Sequence, residues 1–389
     1  MDVPSVYALD IRGKRVLVRE DLNAPVQDGR VTSDARLLAA LPTIELLKKQ
    51  GAARILLASH LGRPAKGDTP ATAPQFSLAP VAARLGELLG EQVDLVDMES
   101  ATVMQAGTIG LLENVRFQPG ETDNDPALAE KLAGLCDVFV MDAFATAHRA
   151  HASTAGVIDV AEVACAGPLL LRELETLSEL LEAPARPLVA VIGGAKISTK
   201  LGALDRLAQL TDTLVVGGAI ATTFLAAKGL NVGKSLIEAS MLDEAERLLA
   251  SSRMLLPVDV VVAREVRAGA RTKTVPVEDI GEHDRVVDIG PNSRAQLRGA
   301  MNVVGTILWN GPLGVFEIDR FAAGTLHFAR SVARSPAFSL AGGGDTLAAI
   351  DKAGVAKSIS YISTGGGALL EFVEGRELPA IASLAARAR

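Results

Sequence analysis

The stretch PLVAVIGGAKISTKL, residues 187–201, decides the fold class of this 389-residue chain. Its apolar run is long enough for a buried strand, and the two glycines after it are typical of a turn. The residues that follow the glycines have helical character. A strand that passes through a turn into a helix is the repeating unit of parallel α/β sheets, so this stretch predicts an α/β fold.

Runs of the same kind recur along the chain, each followed by a turn and a segment with helical periodicity. In the first part of the chain they are RVLVR (15–19), ARILLAS (53–59), VDLVD (93–97), IGLLENV (109–115) and DVFVMDAF (137–144). In the second part they are PLVAVIGG (187–194), DTLVVGG (212–218), PVDVVVA (257–263), TILWNGP (306–312), FSLAGGG (338–344) and SYISTGGG (360–367). We therefore predict two doubly wound parallel sheets, one in each lobe, that together use all of these strands.

The segment GPLLLRELETLSELLEAPARP, residues 167–187, separates the two sets of strands. A Gly-Pro pair opens it, its leucines recur at helical spacing, and two prolines close it. We predict a hinge helix and linker over residues 168–185, between a first lobe of residues 1–167 and a second lobe of residues 186–375. A helix internal to one domain would show the same pattern.

Length and composition exclude several classes of protein. The chain is longer than the ~100 to 200 residues of one domain, and 49% hydrophobic with 22% charged residues is the composition of a globular protein. Lys plus Arg number 39 against 46 Asp plus Glu, and only 3% of residues are aromatic. This balance argues against broad nucleic-acid binding, which needs basic surface and stacking rings.

Cysteine usage and hydropathy bear on the compartment. Cys136 and Cys165 form neither a CxxC pair nor a zinc-type spacing, which favours a reducing cytoplasm. No apolar run reaches the ~18 residues of a membrane span, and the start MDVPSVYALDIRGKR does not have the pattern of a signal peptide. We expect a cytoplasmic protein that does not enter membranes.

Arginine and histidine follow the strands of the first lobe. In open parallel sheets, ligands bind outside the carboxyl ends of the strands. The polar residues expected there are Arg19, Asp21, Asn23, Arg36, His60, Arg63, Arg116, His148, Arg149 and His151. A single arginine is usually a surface residue, but arginines after several strands of an acidic chain predict a pocket for a small polyanion. The HRAH segment is a poor metal site because no acidic ligand lies near it in sequence.

Glycine follows the strands of the second lobe. GGAKISTKL places Lys196 and Lys200 four residues apart, on one face of an expected helix start, where lysines oppose the macrodipole unless an anion is bound. GGGDT (342–346) and STGGG (363–367) offer backbone N–H groups to phosphates, and Asp345 is suited to Mg²⁺. VGKS (232–235) is not a P-loop, because Lys228 stands where the first glycine would be and a helical segment precedes it.

The ordered motifs resemble the phosphoglycerate kinase family along nearly the whole chain. They are RVLVREDLNAP, HLGRP, ENVRF, DAFATAHRAHAST, GGAKISTK, WNGPLGVFE, GGGDT and STGGGALLEFVEGRELP. The resemblance implies reversible, Mg²⁺-dependent phosphoryl transfer from 1,3-bisphosphoglycerate to ADP, in glycolysis and gluconeogenesis, by a cytoplasmic monomer. It also implies that the first lobe binds the phosphoglycerate, that the second binds ADP or ATP, and that residues 376–389 fold back onto the first lobe.

The resemblance also implies roles for individual residues. For binding 3-phosphoglycerate it implies Asp21, Asn23, Arg36, His60, Arg63, Arg116 and Arg149. For binding the nucleotide it implies Lys200, Asn310, Glu317, Gly343, Gly344, Asp345 and Thr346, with Asp345 at the metal. For catalysis it implies Arg36, Lys196, Lys200, Gly365, Gly366 and Gly367. Ala145 and Ala219 stand where the family usually has glycine.

Two other hypotheses belong to different classes. A bilobal solute-binding protein would also have two α/β lobes and a hinge. The second, glycine-lined phosphate site and the absence of a signal segment argue against it. An unrelated acid kinase of the acetokinase kind would be separated by coupled assays with 3-phosphoglycerate and with acetate.

Overall fold

The computed structural model describes residues 2–388, which form two compact units. Unit 1 extends to Ser178 and resumes at Glu377, whereas unit 2 is Glu179–Arg376. The boundary falls inside the helix Pro168–Glu182, which the leucine spacing predicts.

Unit 1 is built on a parallel sheet. Its strands are β1 (Arg15–Arg19), β2 (Val26–Gln27), β3 (Arg30–Val31), β4 (Arg54–Ala58), β5 (Val93–Val96), β6 (Ile109–Leu112), β7 (Val138–Met141) and β8 (Val163–Ala166). Its helices up to the boundary are α1 (Ala35–Lys49), α2 (Ala79–Leu89), α3 (Met98–Thr102), α4 (Pro126–Gly134), α5 (Val157–Val160) and α6 (Pro168–Glu182). The six-stranded sheet has the order β5-β6-β4-β1-β7-β8, and β2 and β3 form a separate hairpin.

The central strands of unit 1 are apolar on both faces. Val16, Leu17 and Val18 are each 0–1% exposed, as expected for a strand covered by helices on both sides. Strand β1 pairs in parallel with β4 on one side and β7 on the other. The carboxyl ends of these three strands therefore lie side by side at one edge of the sheet.

Unit 2 contains a parallel sheet and a small antiparallel sheet. Its strands are β9 (Leu188–Ile192), β10 (Thr213–Val216), β11 (Met254–Leu255), β12 (Asp259–Ala263), β13 (Thr272–Pro276), β14 (Arg285–Ile289), β15 (Thr306–Asn310), β16 (Phe338–Gly342) and β17 (Tyr361–Ser363). Its helices are α7 (Leu201–Leu210), α8 (Gly218–Ala227), α9 (Leu242–Ser251), α10 (Pro291–Ala300), α11 (Ala323–Arg334), α12 (Gly344–Ala353) and α13 (Gly366–Val373). The parallel sheet has the order β11-β10-β9-β15-β16-β17, so successive strands are added on one side of β9 and then, from β15 onward, on the other side. This is the doubly wound arrangement, and the predicted pair of doubly wound sheets is confirmed.

One predicted strand belongs to a different sheet. The run PVDVVVA was expected in the parallel sheet, but β12 pairs antiparallel with β13 and β14. Its alternate residues Val260 and Val262 are fully buried, so the run does form a core strand. An apolar run shows that a strand is buried and not which strand it pairs with, and the edge place beside β10 is taken by the short β11.

The core of unit 2 surrounds Trp309 in β15, the single tryptophan of the chain. Its side chain is 0% exposed, and its ring meets that of Phe328 edge to face with a centroid distance of 5.1 Å. The indole N–H donates to the Gly311 carbonyl at 2.8 Å, so the polar atom of this buried ring has a partner.

The chain returns to unit 1 in its last helix, α14 (Pro379–Arg387). The Ala380 N–H donates to the Ala147 carbonyl at 3.1 Å, and the Arg387 guanidinium donates to the Glu162 carbonyl at 2.9 Å. Ile381 and Leu384 of this helix are buried. Among residues 2–388, no helix combines the length and the apolar composition that crossing a membrane requires.

Candidate functional site

Arg19, the last residue of β1, lies at the carboxyl edge of the unit 1 sheet. Its side chain is 1% exposed, and its Nε donates to the Ser153 hydroxyl at 3.0 Å. Burial lowers the pKa of Arg19 to about 10, so it is still a cation at neutral pH. A terminal nitrogen of Arg19 lies 3.4 Å from Nδ1 of His60, and burial, followed by the charge of Arg19, lowers the pKa of this histidine. His60 is therefore neutral beside a buried cation.

Hydrogen bonds connect the loops that follow β1, β4 and β6. The side-chain oxygen of Asn23 accepts from the Gly62 N–H at 2.9 Å, and the Leu22 N–H donates to the Ser59 hydroxyl at 2.8 Å. The Arg116 guanidinium donates to the Gly62 carbonyl. Because the loops are bonded to one another, the polar side chains that they carry are held in place.

An open cavity of about 650 Å³ adjoins these loops in unit 1. Its lining includes Arg63, Arg116, Arg149 and His151. Burial, and then the charge of Arg149, lowers the pKa of Arg116 to about 10. Burial, and then the charge of Arg116, lowers the pKa of His151 to about 4. A cavity that offers guanidinium groups and a neutral imidazole is suited to a small polyanion.

The other polar residues predicted for this pocket lie outside the cavity lining. Arg36, the second residue of α1, forms an ion pair with Asp21. The Asp21 side chain is nearly buried and that of Arg36 is about one-third exposed, and burial lowers the pKa of Arg36. The structure brings the three arginines of the cavity together, whereas Asp21, Asn23, Arg36 and His60 surround the neighbouring ends of β1 and β4.

A pair of buried acids lies at the ends of β1 and β7. Glu20 and Asp142 are each at most 1% exposed, and the charge of Asp142 acts on the Glu20 carboxyl. Asp142 accepts from the Leu170 N–H at 3.0 Å and from the Thr43 hydroxyl. Burial raises the pKa of Asp142 to about 6 and that of Glu20 well above its usual range. Sequence reasoning missed this pair, although both acids directly follow buried strands.

The glycine site of unit 2 is centred on β9 and β15, where the strand order reverses. The chain after β9 passes Gly193 and Gly194, and the chain after β15 turns at Gly311 with φ +98°. A Cβ on Gly311 would lie 2.3 Å from the Gly193 carbonyl oxygen. Only glycine allows the two turns to approach this closely.

Lys200 is the half-buried cation of this glycine site. Its Nζ donates to the Gly193 carbonyl at 2.7 Å and to the Asn310 side-chain oxygen at 2.5 Å. Burial lowers the pKa of Lys200 to about 8, and the nearby Asp345 partly opposes this shift. Lys200 is therefore mostly protonated at neutral pH, and an anion bound beside it would favour the charged form further.

The expectation that Lys196 and Lys200 share a helical face is wrong. Helix α7 begins at Leu201, and Lys196 is exposed in the loop before it. Gly194 has φ +135°, a conformation that helices do not use, and the chain then makes a turn in which the Lys200 N–H donates to the Ile197 carbonyl at 2.8 Å.

The GGGDT segment forms the start of α12. Gly343 precedes the helix with φ +101°, and a Cβ there would lie 2.8 Å from Nδ2 of Asn310. Thr346 is buried and its hydroxyl accepts from the Gly311 N–H at 2.7 Å, which ties α12 to the turn after β15. Gly344 and Asp345 are exposed in the first turn, so the free N–H end of the helix is accessible.

The STGGG segment lies against the GGGDT segment. Helix α13 begins at Gly366, and the Gly365 N–H donates to the Ser363 hydroxyl at 3.2 Å. A Cβ on Gly366 would lie 2.9 Å from the Cα of Gly343. Gly367 is exposed in the first turn of α13. The N-termini of α12 and α13 therefore lie side by side.

A cavity of about 320 Å³ opens next to α12 in unit 2. Its lining includes Gly194, Asp345, Glu317, Asp288, Arg285, Ala219, Leu236, Val266 and Val286. Lys196, Lys200, Asn310, Gly343, Gly344, Thr346 and the glycines at 365–367 are outside this lining. The predicted residues Glu317 and Asp345 thus share a cavity, and Lys200 and Asn310 support the glycine turn beside it.

Comparison with known proteins identifies the family of the chain. The family model described as phosphoglycerate kinase matches residues 6–376. The solved structure of phosphoglycerate kinase from Coxiella burnetii is 47% identical, with 100% of both chains covered and a TM-score of 0.90. That of phosphoglycerate kinase from Pyrococcus horikoshii OT3 is 32% identical, with 98% of each chain covered and a TM-score of 0.85. The chain belongs to the phosphoglycerate kinase family. It is therefore a kinase, that is, a phosphotransferase.

Ala145 and Ala219, the two departures that the resemblance indicates, are both half-buried. Ala145 lies in the short 3₁₀ turn Phe144–Thr146 after β7. Ala219 lies in the first turn of α8 and lines the cavity of unit 2. Ala145 lines neither cavity, and neither alanine stands in place of a charged group.

Lys234 of the VGKS segment lies outside the lining of this kinase's unit 2 cavity. The segment before it is α8, so the expected helix is confirmed. Lys234 is exposed, and its N–H donates to the Asp284 carbonyl at 2.7 Å. The segment is a structural loop in this member of the family.

Asp288 is a carboxyl of the unit 2 cavity that sequence reasoning missed. It is 1% exposed and accepts from the Gly324 N–H at 2.6 Å and the Ile289 N–H at 2.9 Å. Burial raises its pKa to about 7. Asp288 is the fourth residue of β14. No sequence motif indicates that a cavity lies beside it.

Proposed function

We propose that the chain catalyses reversible, Mg²⁺-dependent transfer of the acyl phosphate of 1,3-bisphosphoglycerate to ADP, which gives 3-phosphoglycerate and ATP. The observation that carries the proposal is the presence, in a kinase of this family, of two chemically different sites. Unit 1 has a cavity lined by guanidinium groups, and unit 2 has a cavity bordered by glycine turns and a helix N-terminus. The first is suited to a small phosphorylated acid and the second to a nucleotide.

The acid is bound in unit 1 in this proposal. The groups that bind it are Asp21, Asn23, Arg36, His60, Arg63, Arg116 and Arg149. 3-Phosphoglycerate carries a carboxylate and a phosphate, and the arginines of the cavity supply the opposite charges. Arg19 adds a permanent cation behind His60. The neutral histidines donate single hydrogen bonds without adding to the repulsion among the arginines.

The nucleotide is bound in unit 2 in this proposal. The groups that bind it are Lys200, Asn310, Glu317, Gly343, Gly344, Asp345 and Thr346. The backbone N–H groups at the start of α12 donate to phosphate oxygens, and Lys200 offsets their charge. Glu317 is exposed in the cavity lining, where its carboxylate can accept from the hydroxyls of a ribose.

The residues present fit a magnesium ion that arrives with the nucleotide. Within residues 2–388, no group of three or more acidic, histidine or cysteine side chains could hold a metal ion. Mg²⁺ is usually bound through one or two carboxylates and the substrate phosphates, and Asp345 is an exposed carboxylate at the glycine turn. When bound, the ion would offset charge on the phosphates.

The chemistry requires positioning and charge compensation and does not require a general base. The attacking group is a β-phosphate oxygen in one direction and a carboxylate in the other, and both are ionised at neutral pH. The chain therefore has to align two polyanions and stabilise the transferring group. We assign this task to Arg36, Lys196, Lys200 and the N–H groups of Gly365, Gly366 and Gly367. Each unit carries one of the two binding sites, so turnover needs both units.

The setting of the reaction is part of the proposal. We propose a monomeric enzyme of glycolysis and gluconeogenesis in the cytoplasm. Both cysteines are buried free thiols, which supports a reducing compartment. Gel filtration at micromolar concentration should give the mass of one chain.

The test is an assay of ATP consumption coupled to 3-phosphoglycerate, with acetate as the alternative acceptor. We expect 3-phosphoglycerate to support turnover and acetate not to, since acetate lacks the phosphate that the arginine cavity accommodates. Calorimetry should show 3-phosphoglycerate binding that Arg149→Met weakens and Mg-ADP binding that the same variant leaves unchanged. Turnover with acetate alone, or no turnover with either acid, would overturn the proposed function.

A further inference from the structure

Arg285 lines the unit 2 cavity and is not used by the reaction as described above. It is the first residue of β14 and is half-buried. One of its terminal N–H groups donates to the Lys234 carbonyl at 2.6 Å. A guanidinium has five N–H groups, and within the described part of the chain the Arg285 side chain makes no other hydrogen bond or ion pair. The side chain is thus anchored at one nitrogen and keeps donors for a ligand.

The wall that carries Arg285 is otherwise apolar. Leu236, Val266 and Val286 line the cavity there, and Leu236 and Val266 are exposed large hydrophobic side chains. The Val286 N–H donates to the Ser235 hydroxyl at 2.9 Å, so β14 and the segment after α8 form one continuous wall. Exposed apolar side chains suit the faces of a planar base.

The remaining wall has the chemistry of the phosphates and the sugar. Gly194 belongs to the glycine turn after β9, and Asp345 lies in the first turn of α12. Glu317 adds an exposed carboxylate. If the nucleotide binds here, as the proposed function requires, its phosphates face the glycine turns and its base faces the apolar wall. Arg285 is then the cationic donor of the base end.

A guanidinium discriminates between purines by their 6-substituent. Guanine and hypoxanthine present two acceptors side by side, O6 and N7, which match two N–H groups of an arginine. Adenine presents N7 next to an amino group, which is itself a donor and opposes the guanidinium. An arginine at the base end therefore favours 6-oxopurines.

We propose that Arg285 is a specificity-determining residue that directs this kinase towards guanine and hypoxanthine nucleotides relative to adenine nucleotides. The inference rests on the proposed function, because it places the base of the nucleotide substrate beside Arg285. The contact with the base is made by the guanidinium N–H groups of Arg285 that do not bind the Lys234 carbonyl.

The test compares kcat/KM for ATP, GTP and ITP, with 3-phosphoglycerate as acceptor, in wild type, Arg285→Met and Arg285→Gln. Methionine keeps the length and removes the donors, so kcat/KM for GTP and ITP should fall about tenfold while that for ATP stays within about twofold. This tenfold fall lies in the lower half of the discrimination that one arginine–guanine contact provides, because Arg285 is only half-buried. Glutamine can pair with N6 and N7 of adenine, so Arg285→Gln should raise the ATP-to-GTP ratio above that of Arg285→Met.

The matched control is Arg267→Met. Arg267 is exposed in the loop between β12 and β13 and lines a different cavity, so all three nucleotides should keep their wild-type ratios. An equal loss with ATP, GTP and ITP in Arg285→Met would mean that Arg285 stacks on any base, and unchanged ratios would mean that it does not reach the base. Either result overturns the inference. Absence of turnover with every nucleotide in wild type would instead overturn the proposed function.

Discussion

The two units prepare for anions by opposite means. Unit 1 uses side-chain charge: Arg19 and Arg116 are packed closely enough that burial lowers the pKa of each to about 10. Unit 2 uses the backbone: Gly343 has a positive φ just before α12, and the first-turn N–H groups of that helix are accessible. Both sites lie at the carboxyl edge of a parallel sheet, so the same fold accommodates either chemistry.

The difference shows what each solution costs. Clustered arginines repel one another and lose hydration, and neighbouring histidines are held neutral as a result. Glycine turns carry no net charge and avoid that cost, but they leave no room for a side chain. Unit 1 should therefore be sensitive to charge and pH, and unit 2 to added volume.

The largest effect on activity is expected at Lys200, the charged side chain beside the glycine turns of unit 2. Lys200→Ala should lower kcat by about 10² to 10³ while KM for the nucleotide changes much less, because a cation beside the transferring group stabilises the transition state. Arg36→Ala in unit 1 should give a loss of similar size. Steady-state kinetics with both substrates varied measures these values.

Lys234→Ala is the control for Lys200→Ala. Lys234 is exposed and outside the cavity lining, so activity should stay within about threefold of wild type, far below the loss caused by removing a transition-state contact. A hundredfold loss in this variant would mean that the nucleotide site is elsewhere. A Lys200→Ala variant with normal kcat and a raised KM would reduce Lys200 to a ground-state contact.

The second prediction concerns the buried acid pair of unit 1. Asp142 ionises near pH 6 when folded and near pH 4 when unfolded, so the folded chain binds more protons between these values. The free energy of unfolding from this group therefore falls as pH rises from 4 to 6. Asp142→Asn should remove this decrease. Relative to wild type, the free energy of unfolding of the variant should therefore increase by up to about 3 kcal/mol as pH rises from 4 to 6. Amide hydrogen exchange of the β1 and β7 peptides, compared at equal pH, measures it.

Asp137→Asn should show the opposite sign. Asp137 accepts from Nε of Arg15 at 3.0 Å, and this hydrogen bond lowers its pKa. Its contribution is present above the unfolded pKa and is lost as pH falls through the lower folded value. The variant should therefore be less stable than wild type at neutral pH and equal to it in acid. The same pH trend in both variants would contradict the assignment for Asp142.

Added volume should be the weak point of unit 2. Gly343→Ala introduces a methyl group at φ +101° and 2.8 Å from Nδ2 of Asn310, which should displace the start of α12 and lower Mg-ADP affinity about tenfold. Gly354→Ala is the matched control, because Gly354 also has positive φ but its Cβ would meet no atom within 4 Å. It should lose stability without losing affinity. Calorimetric titration and thermal melting separate the two effects, and equal affinity losses would refute the steric argument.

The smallest effect should be proton uptake when the arginine cavity is filled. The pKa of His151 is about 4 because burial and the arginines oppose its protonation. A bound polyanion offsets that charge and raises the pKa of His151. When 3-phosphoglycerate binds, His151 should therefore gain a fraction of one proton at pH 5 and almost none at pH 7.5. Calorimetry in buffers of different ionisation enthalpy measures the uptake.

His151→Asn should abolish this uptake. His148 is the comparison, since its pKa is also lowered to about 4 but it is outside the cavity lining. His148→Asn should leave the uptake at pH 5 nearly unchanged. If the two variants behave alike, the bound anion does not lie beside His151.

The strands and the edge of the sheets that carries the sites could be predicted from sequence. The apolar runs at 15–19 and 188–192 are strands at the predicted places, because buried parallel strands have few alternatives. Polar residues directly after such strands then identify the edge. The arginines and glycines of the two sites follow from this rule without any knowledge of tertiary contacts.

The rest depends on contacts between distant segments. Nothing in PVDVVVA indicates that β12 pairs with β13 and β14, and nothing in GGAKISTKL shows that the helix begins only at Leu201. Glu317 was identified only through the family resemblance. Arg285 has no motif, and it is significant only because the wall between β14 and α8 faces a cavity.

The single tryptophan makes the chain optically asymmetric. Trp309 lies fully buried in unit 2, next in sequence to the asparagine that holds Lys200, whereas unit 1 has no tryptophan. Emission excited at the red edge of the absorption band therefore reports only on unit 2. Nucleotide binding and unfolding of unit 2 can be followed by fluorescence without labels, while circular dichroism records both units. A difference between the two signals in a denaturation experiment would resolve the stability of unit 1 from that of unit 2.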